Sequence, residues 1–321
     1  MVNIPEIENS KDRITDVHRT ILDHLGDSLP LVPQIARHLL KQQKDQLRSR
    51  LTIRCAELFQ SADQRVLDLA GILEFLHAST KLHRRVQKPG ESRRQLKPLQ
   101  GIWGNEASVL LGDYLLSISF EILTRAGNLE VLETISSTTQ KIALGQMLEV
   151  SKPYFKIGSK DWEEITLLKH ASLFQAGAVC ASIWGKANTE ITDNLGKFGC
   201  ELGMASRLAK DLETVCNHAQ MVQALQQEKL LYPVCLWLEK GMGSRDSKTM
   251  KKLLSESNTG SNFDDNNWKN LLQWCWVPVE QKIEEHLEGA CYHLKQIDEL
   301  DCSNLKELTE LKMNSAPETL S

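Results

Sequence analysis

The chain has 321 residues, of which 41% are apolar and 25% are charged, and its formal net charge is -4. These values allow one large buried core, and the nearly balanced charge gives no global reason to expect nucleic acid or an anionic membrane as a partner. No window approaches about 18 consecutive apolar residues and the N-terminal MVNIPEIENSKDR is polar, so we expect a cytoplasmic protein with no membrane span and no targeting segment.

Apolar residues recur at helical spacing from the first predicted element, which contains Ile14, Val17, Ile21 and Leu25. The apolar and polar alternation of β-strands is almost absent. Further long helices are predicted over residues 66–82, 106–126, 129–149, 163–185, 191–215 and 279–300, mostly bounded by Gly, Pro, Ser or Asn. The sequence therefore predicts an all-α fold.

The longest polar stretch, residues 241–267, is predicted to be a loop, and the tail from residue 314 is predicted to be frayed. Neither has the features of a domain boundary, and no internal repeat is present. We predict a single domain over residues 1–321, built as a bundle of roughly ten or more helices.

The most informative segment is residues 73–116, which read LEFLHASTKLHRRVQKPGESRRQLKPLQGIWGNEASVLLGDYLL. It resembles a region of the long-chain polyprenyl diphosphate synthases: E-x-I-H-x-A-x-x-L-H-D-D-x-x-D, then a loop ending in R-R, then a helix start G-N-x-A-x-x-L-x-G-D-x-L. The positions that fall in register are Glu74, His77, Leu82, His83, Arg93, Arg94, Gly104, Asn105, Ala107, Leu110, Gly112, Asp113 and Leu115.

Shorter matches extend the resemblance over most of the chain. Arg48 and Arg50 stand where the family has G-K-R-x-R-P, and KHASLF from Lys169 resembles K-T-A-x-L-F. LGMASRLAKDLET from Leu202 resembles L-G-x-A-F-Q-L-x-D-D-x-x-D, and Lys229 stands in a segment similar to G-K-x-T-x-P. Each match alone is weak, but their common order and spacing are specific. The resemblance implies an isoprenoid-synthase-type helical bundle from a family of trans-prenyltransferases.

The chain departs from this family at the two aspartate-rich motifs. In the family these motifs hold the Mg²⁺ ions that bind the allylic diphosphate and help it leave, because hard cations need oxygen ligands. Here Asp211 is the one carboxylate left among the six positions, and the others are Arg84, Arg85 and Lys88 in the first motif and Lys210 and Thr214 in the second. Cationic side chains in the first motif repel Mg²⁺, so we predict no metal site, no cofactor and no catalytic residue.

The cations that contact diphosphate in the family are better kept than its metal ligands. By resemblance, one group corresponds to the isopentenyl diphosphate site and another to the allylic diphosphate site. The first is Arg50, His77 and Arg94 with the neighbouring Arg48; the second is Arg93, Lys169 and Lys229, with Arg207 in place of a glutamine. Guanidinium groups pair well with phosphate oxygens, so these residues are candidates for metal-free diphosphate binding. The alternative is a solvated rim of cations around a crevice that no longer binds a ligand.

Two small residues, Ser79 and Thr80, occupy positions where bulky side chains limit product length in the family. The resemblance therefore implies a pocket floor open to a prenyl tail.

Other residues give weaker indications of a site. The eight cysteines form no C-x-x-C pair and several of them lie among apolar residues, which favours reduced thiols over disulfides or a zinc site. The basic run over residues 81–97 has no interleaved aromatic residues, so it is not typical of a nucleic-acid platform.

Taken together, the motifs favour a catalytically silent polyprenyl diphosphate synthase-like protein that serves as the non-catalytic subunit of a heteromeric prenyltransferase in isoprenoid biosynthesis. The family pairs through the helices that follow the first motif, so residues 107–116 and 129–148 are expected to form a homodimer or a heterodimer with a catalytic synthase. One alternative is a metal-free sensor or carrier of prenyl diphosphates. Another is an active enzyme of altered chemistry, although no replacement acid, base or nucleophile is visible.

Overall fold

The computed structural model describes residues 8–25, 32, 46–84, 98–152, 156–240 and 265–310, with only the backbone described at residues 8–12, 98–105, 240 and 265. Every regular element in these ranges is helical, which confirms the predicted all-α bundle. The helices are α1 (Glu8–Leu25), α2 (Leu47–Glu57), α3 (Gln64–Arg84), α4 (Pro98–Ala126), α5 (Leu129–Ser151), α6 (Ser159–Thr166), α7 (Ser172–Trp184), α8 (Thr189–Cys216), α9 (His218–Gln226), α10 (Tyr232–Lys240), α11 (Asp265–Lys295) and α12 (Ser303–Lys306). A π-helical turn, Leu167–Ala171, joins α6 to α7, and a 3₁₀ turn, Glu307–Thr309, follows α12.

Asparagine side chains fix the start of three helices. Asn128, Asn188 and Asn217 lie at the N-caps of α5, α8 and α9, and each accepts a hydrogen bond at 2.8 to 3.0 Å from the backbone N–H three residues further on. Each such cap contributes about 1 kcal/mol to helix stability, so short connections can join long helices without fraying.

Helix α7 lies at the centre of the bundle. Its sequence SLFQAGAVCASIW is apolar or small on almost every side, as expected for a helix surrounded by others. It packs against α2, α3, α5 and α8, while α11 covers the other side of α8. The core extends from Val17 in α1 to Leu308 after α12.

Small residues allow α7 and α8 to approach each other closely. A Cβ added at Gly203 would lie 2.8 Å from the Cα of Ala171, and one added at Gly199 would lie 2.7 Å from the carbonyl oxygen of Phe174. These glycines let α8 carry its polar residues up to the π turn.

Helix α11 begins earlier than the sequence predicts. Its expected range was residues 279–300, because Pro278 removes a backbone donor and disfavours the helix interior. In the structure α11 runs from Asp265 through Pro278, so residues 265–267 of the predicted polar loop are helical. Buried Leu271, Leu272 and Cys275 pack this first half into the core, and that burial outweighs the proline penalty. The rest of the predicted loop, 241–264, and the tail from 314 lie outside the described residues.

Helix α4 contains a segment, Glu106–Ala126, that is long and apolar enough to span a membrane by length and composition alone, with a mean hydropathy of 1.4. Leu111, Leu115 and Leu123 on this segment are buried in the core. Because core helices of bundles pass the same test, we interpret the segment as a core helix that packs against α3.

Substituting Gly203 with alanine tests the close approach of α8 to the π turn. We expect the free energy of unfolding to fall by about 1–3 kcal/mol, because the new methyl group overlaps backbone and ring atoms. The control is G289A, where the nearest atom belongs to the flexible Glu201 side chain at 3.3 Å and the expected change is within about 1 kcal/mol. Denaturant unfolding followed by circular dichroism measures both, and a G203A variant as stable as G289A would contradict the packing.

Candidate functional site

A narrow cleft lies where α3, α5 and α8 meet the π turn. It is lined by Arg84, Glu149, Trp162, Ile165, Thr166, Lys169, His170, Arg207 and Leu230. The space among these side chains, including its open mouth, is about 210 Å³. Only about 10 Å³ of this space is open to the centre of a water-sized sphere, which is room for about one water molecule, so the cleft in this conformation is too small for a prenyl diphosphate. It nevertheless brings together three of the predicted diphosphate-binding or motif residues, Arg84, Lys169 and Arg207.

The carboxylate of Glu149 bridges two of these cations. Arg84 Nη2 lies 2.7 Å from Glu149 Oε1, and Lys169 Nζ donates a hydrogen bond to Oε2. Lys169 reaches this position by running over Gly145, where an added Cβ would lie 2.6 Å from its Cγ. Arg84 also donates to the carbonyl oxygen of Glu228 at 3.2 Å, so the end of α3 is tied to both α5 and the segment after α9.

Burial and charge compete at this bridge. Burial alone would raise the pKa of the Glu149 carboxyl, but the charges of Arg84 and Lys169 outweigh it and hold that pKa below its ordinary value. Burial lowers the pKa of Lys169, which is only 4% exposed, and the attraction of Glu149 offsets part of that effect. The bridge thus places a carboxylate against a buried lysine that lies near two further cations, Arg84 and Arg207.

Asp211, which the sequence resemblance matches to the second aspartate motif, is a buried hydrogen-bond acceptor. Its Oδ2 accepts from Trp162 Nε1 and from the backbone N–H of Tyr232, both at 3.0 Å, and its Oδ1 lies 2.9 Å from Arg207 Nη2. Burial raises the pKa of this carboxyl, and Arg207 together with the two N–H donors opposes the rise. Arg207 also donates to the carbonyl oxygen of Leu230 at 3.0 Å. Asp211 therefore connects α6, α8 and α10.

The described residues of the two motifs do not fit a magnesium ion. Asp211 points into protein donors, its neighbour Lys210 is exposed and paired with Glu213 at 2.7 Å, and the Thr214 hydroxyl donates to the Lys210 carbonyl oxygen. No group of three or more potential ligands occurs among the residues that the structure describes. Oxygen ligands facing a shared open position, which Mg²⁺ requires, are not formed by this part of the chain.

A second group of polar residues lies between α2, α3 and α7. Arg48 Nη2 donates to Glu74 Oε2 at 2.8 Å, and the Ser49 hydroxyl donates to Glu74 Oε1 at 3.0 Å. Arg48 also lies over the ring of Phe174, with its guanidinium carbon 5.7 Å from the ring centroid. The predicted cation Arg48 is thus paired inside the protein.

His77 meets His170, which lines the cleft, edge to face with ring centroids 5.9 Å apart. Burial, followed by the nearby charges of Arg48 and Lys81, holds the pKa of His77 well below its ordinary value. Burial and the charge of Arg207, whose Nη1 lies 3.4 Å from His170 Nε2, do the same to the pKa of His170. Both rings are therefore neutral at physiological pH.

The remaining predicted residues lie apart from the cleft lining or outside the described ranges. Arg50 is half-buried on α2, and Lys229 is half-buried on the segment between α9 and α10. Ser79 is buried and Thr80 half-buried on α3, where the Thr80 carbonyl oxygen accepts from Gln146 Nε2 at 3.3 Å; their role as a pocket floor stays a prediction. Arg85, Lys88, Arg93 and Arg94 lie outside the described residues.

Sequence reasoning missed Glu149, His170 and the hydrogen bond of Trp162 to Asp211. Glu149 falls four residues after Gly145, at the helical spacing that places two residues on one face, and Gly145 marks that face as closely packed. This spacing was the available signal, but nothing in it identifies Arg84 and Lys169 as the partners.

Comparison with known proteins gives concordant results at the levels of family, sequence and fold. The profile of the family described as polyprenyl synthetase matches residues 29–265. An octaprenyl diphosphate synthase of Escherichia coli strain K12 is 28% identical over 215 residues, covering 66% of this chain and 66% of that protein. The match thus spans just under two thirds of that curated relative's length.

Two solved structures share the fold along nearly the whole chain. A decaprenyl diphosphate synthase from Rhodobacter capsulatus superposes with a TM-score of 0.76 at 22% identity, covering 94% of each chain. A geranylgeranyl pyrophosphate synthase from Lactobacillus brevis superposes with a TM-score of 0.80 at 16% identity, covering 96% of this chain and 97% of that one. At these identities the likeness establishes the fold.

Replacing Asp211 with alanine tests its role as a buried acceptor. We expect the unfolding free energy to fall by about 3–5 kcal/mol, because Arg207, Trp162 and the Tyr232 N–H lose their buried partner. The control K210A removes only an exposed ion pair and should cost at most about 1 kcal/mol. Addition of Mg²⁺ should leave the melting temperature of the native chain unchanged; a magnesium-dependent rise that D211A abolishes would contradict this role.

The histidine pair predicts a loss of stability in mild acid. Because the folded-state pKa of each ring lies below the ordinary value of about 6.5, the unfolded chain binds protons that the folded chain does not. The contribution of the two neutral rings to the free energy of unfolding is complete above about pH 6.5. It is lost as the pH falls, by up to about 1.4 kcal/mol per pH unit for each ring. Replacing His170 with glutamine should make the decrease in unfolding free energy between pH 7.5 and 5.5 smaller by about 1 kcal/mol. An unchanged pH dependence in H170Q, measured by urea unfolding, would contradict the interpretation.

Proposed function

The chain belongs to the polyprenyl synthetase family, and from that premise we propose that it is a catalytically silent member that serves as the non-catalytic subunit of a heteromeric polyprenyl diphosphate synthase in isoprenoid biosynthesis. The observation that carries the proposal is the state of Asp211, whose two oxygens are occupied by Trp162, Tyr232 and Arg207. The last aspartate of the motifs thus stabilises the fold and has no oxygen directed at a metal.

Charge in the cleft supports the same proposal. Arg84 stands where the family has the leading aspartate of the first motif, and its guanidinium is held on Glu149. A cation at this position repels Mg²⁺, and without metal charge the leaving diphosphate of an allylic substrate is not stabilised. In the proposed complex the catalytic partner supplies the Mg²⁺ and the ionisation chemistry, and this chain supplies contacts.

The surface of α5 is suited to such contacts. Leu144, Met147 and Val150 follow one another at three-residue spacing and are 49%, 66% and 83% exposed. Residues three apart share one face of a helix, so they form an apolar stripe along the second half of α5. We propose that this α5 stripe (Leu144, Met147 and Val150) contacts the equivalent helices of a catalytic synthase or of a second copy. The resemblance implies pairing through the helices after the first motif.

A metal-free sensor or carrier of prenyl diphosphates is the second candidate, favoured by the convergence of Arg84, Lys169 and Arg207 on one cleft. The pairing of these cations with Glu149 and Asp211 weighs against it, since an incoming diphosphate must displace protein carboxylates. The small volume of the cleft weighs in the same direction. A cytoplasmic location remains part of the proposal for either role.

Activity assays on the separate and combined proteins test the subunit role. We expect the purified chain to form no product from isopentenyl and allylic diphosphates with Mg²⁺, because the described motif residues offer no metal site. A catalytic synthase that co-purifies from the native host should change in activity or product length when the chain is added. Robust magnesium-dependent product formation by the isolated chain would overturn the proposal.

Charge substitutions on the α5 stripe test whether it forms the interface, and the same substitution on α11 is the matched control. M147E and V150E should abolish binding to the catalytic partner without lowering the melting temperature, because both side chains are exposed in the free chain. V277E introduces the same charge at a residue that is 54% exposed on α11 and should leave association intact. Light scattering coupled to size exclusion measures the complex. Equal association by all three variants would exclude the α5 stripe as the interface.

A further inference from the structure

Glu149 holds two of the three cations in the cleft lining, Arg84 and Lys169, in the way that a bound anion would. Each of its carboxylate oxygens takes one cation, Arg84 at 2.7 Å on Oε1 and Lys169 on Oε2. The cations come from two separate elements, the end of α3 and the π turn, so no helical spacing forces them together. Two oxygens that bridge two fixed cations reproduce the charge pattern of a phosphate edge.

The residues around Glu149 carry more positive than negative charge. Arg84, Lys169 and Arg207 bring three positive charges to the cleft lining, against the carboxylates of Glu149 and Asp211. Asp211 is already shared among Trp162, Tyr232 and Arg207, and burial raises its pKa. Arg207 Nε is buried without a hydrogen-bond partner among the described residues. The cleft therefore retains a surplus of donors that Glu149 alone does not satisfy.

We propose that Glu149 is a built-in counter-anion that masks a binding site for diphosphate groups formed by Arg84, Lys169 and Arg207. While its carboxylate lies between Arg84 and Lys169, a free diphosphate meets both electrostatic repulsion and an occupied position. When that charge is removed, Arg84 and Lys169 lose their carboxylate partner while Arg207 stays paired with Asp211, so an external anion can take the position between Arg84 and Lys169. Glu149 thus determines whether the cleft binds a diphosphate, independently of whether the chain acts as a subunit.

Removal of the charge by E149Q tests the proposal with inorganic pyrophosphate as the probe. The titration uses the full-length chain in low-salt buffer with EDTA, so no metal contributes. We expect E149Q to bind pyrophosphate at least ten-fold more tightly than the native chain. The matched control is E133Q, which makes the same charge change on α5 about 24 Å away along the helix and should behave as the native protein does.

Three further measurements decide whether the gain comes from the proposed site. The double variant E149Q/R84Q should lose at least ten-fold of the gained affinity, because one of the two released cations is absent. Affinity should fall as salt rises, since the contacts are ionic. Sulfate at the same concentration should give a much smaller gain; an equal gain would overturn the assignment to diphosphate groups.

Two outcomes would overturn the mask itself: native protein that binds pyrophosphate as tightly as E149Q, or a folded E149Q with no gain over E133Q. If E149Q does not fold, E149D keeps the charge but shortens its reach. Pyrophosphate should then raise the melting temperature of E149D more than that of the native chain, and an equal shift in both would overturn the proposal. No catalytic synthase is present in these titrations, so their result is independent of the subunit test.

Discussion

Positive charge placed inside a helical bundle must be matched by negative charge or by hydrogen-bond acceptors, because the loss of hydration is otherwise too costly. This constraint governs the centre of the molecule. Arg48 is paired with Glu74, Arg84 and Lys169 with Glu149, and Arg207 with Asp211. These pairs connect α2 to α3, α3 to α5 and the π turn, and α8 to α10 through the Tyr232 N–H. The polar interior therefore acts as a set of cross-links between helices that the apolar core brings near each other.

For the proposed silent subunit, the same pairing explains how a bundle of this fold can lose its metal ligands and stay folded. A facing set of carboxylates repels itself unless cations lie between them, so loss of metal binding leaves a charge problem as well as a chemical one. Here the remaining carboxylate accepts hydrogen bonds from Trp162 and Tyr232, and the opposing position carries arginine. Within the proposed complex, a masked anion site would also keep this subunit from competing with its catalytic partner for substrate.

Much of the fold was predictable from the sequence, because long amphipathic helices leave a strong 3.6-residue period. The predicted and observed ranges of α5 and α8 differ by at most two residues at each end. The predicted start of α11 was wrong because the helix-breaking effect of Pro278 was given more weight than the burial of Leu271, Leu272 and Cys275. Motif resemblance located Arg84, Lys169 and Arg207, but it could not reveal their partner Glu149, since the pairing depends on contacts between residues 20 and 65 positions apart in the chain. Asp211 was predictable as a motif position, whereas its role as a structural acceptor could be found only from the geometry of Trp162 and Tyr232.

The π-helical turn at Leu167–Ala171 sets the rotational phase between α6 and α7. Such a turn holds one residue more than an α-helical turn, so it is equivalent to a single-residue insertion accommodated within a continuous helix. Deleting one residue there would regularise the helix and rotate everything before it by about 100° relative to α7. Lys169 and His170 would then swing away from α3 and α5 while the apolar face of α7 kept its packing. Because Trp162 and Ile165 on α6 are buried in the core, the same rotation would also move them out of place, so the extra residue of this turn holds the charged residues of the cleft and the packing of α6 in register together.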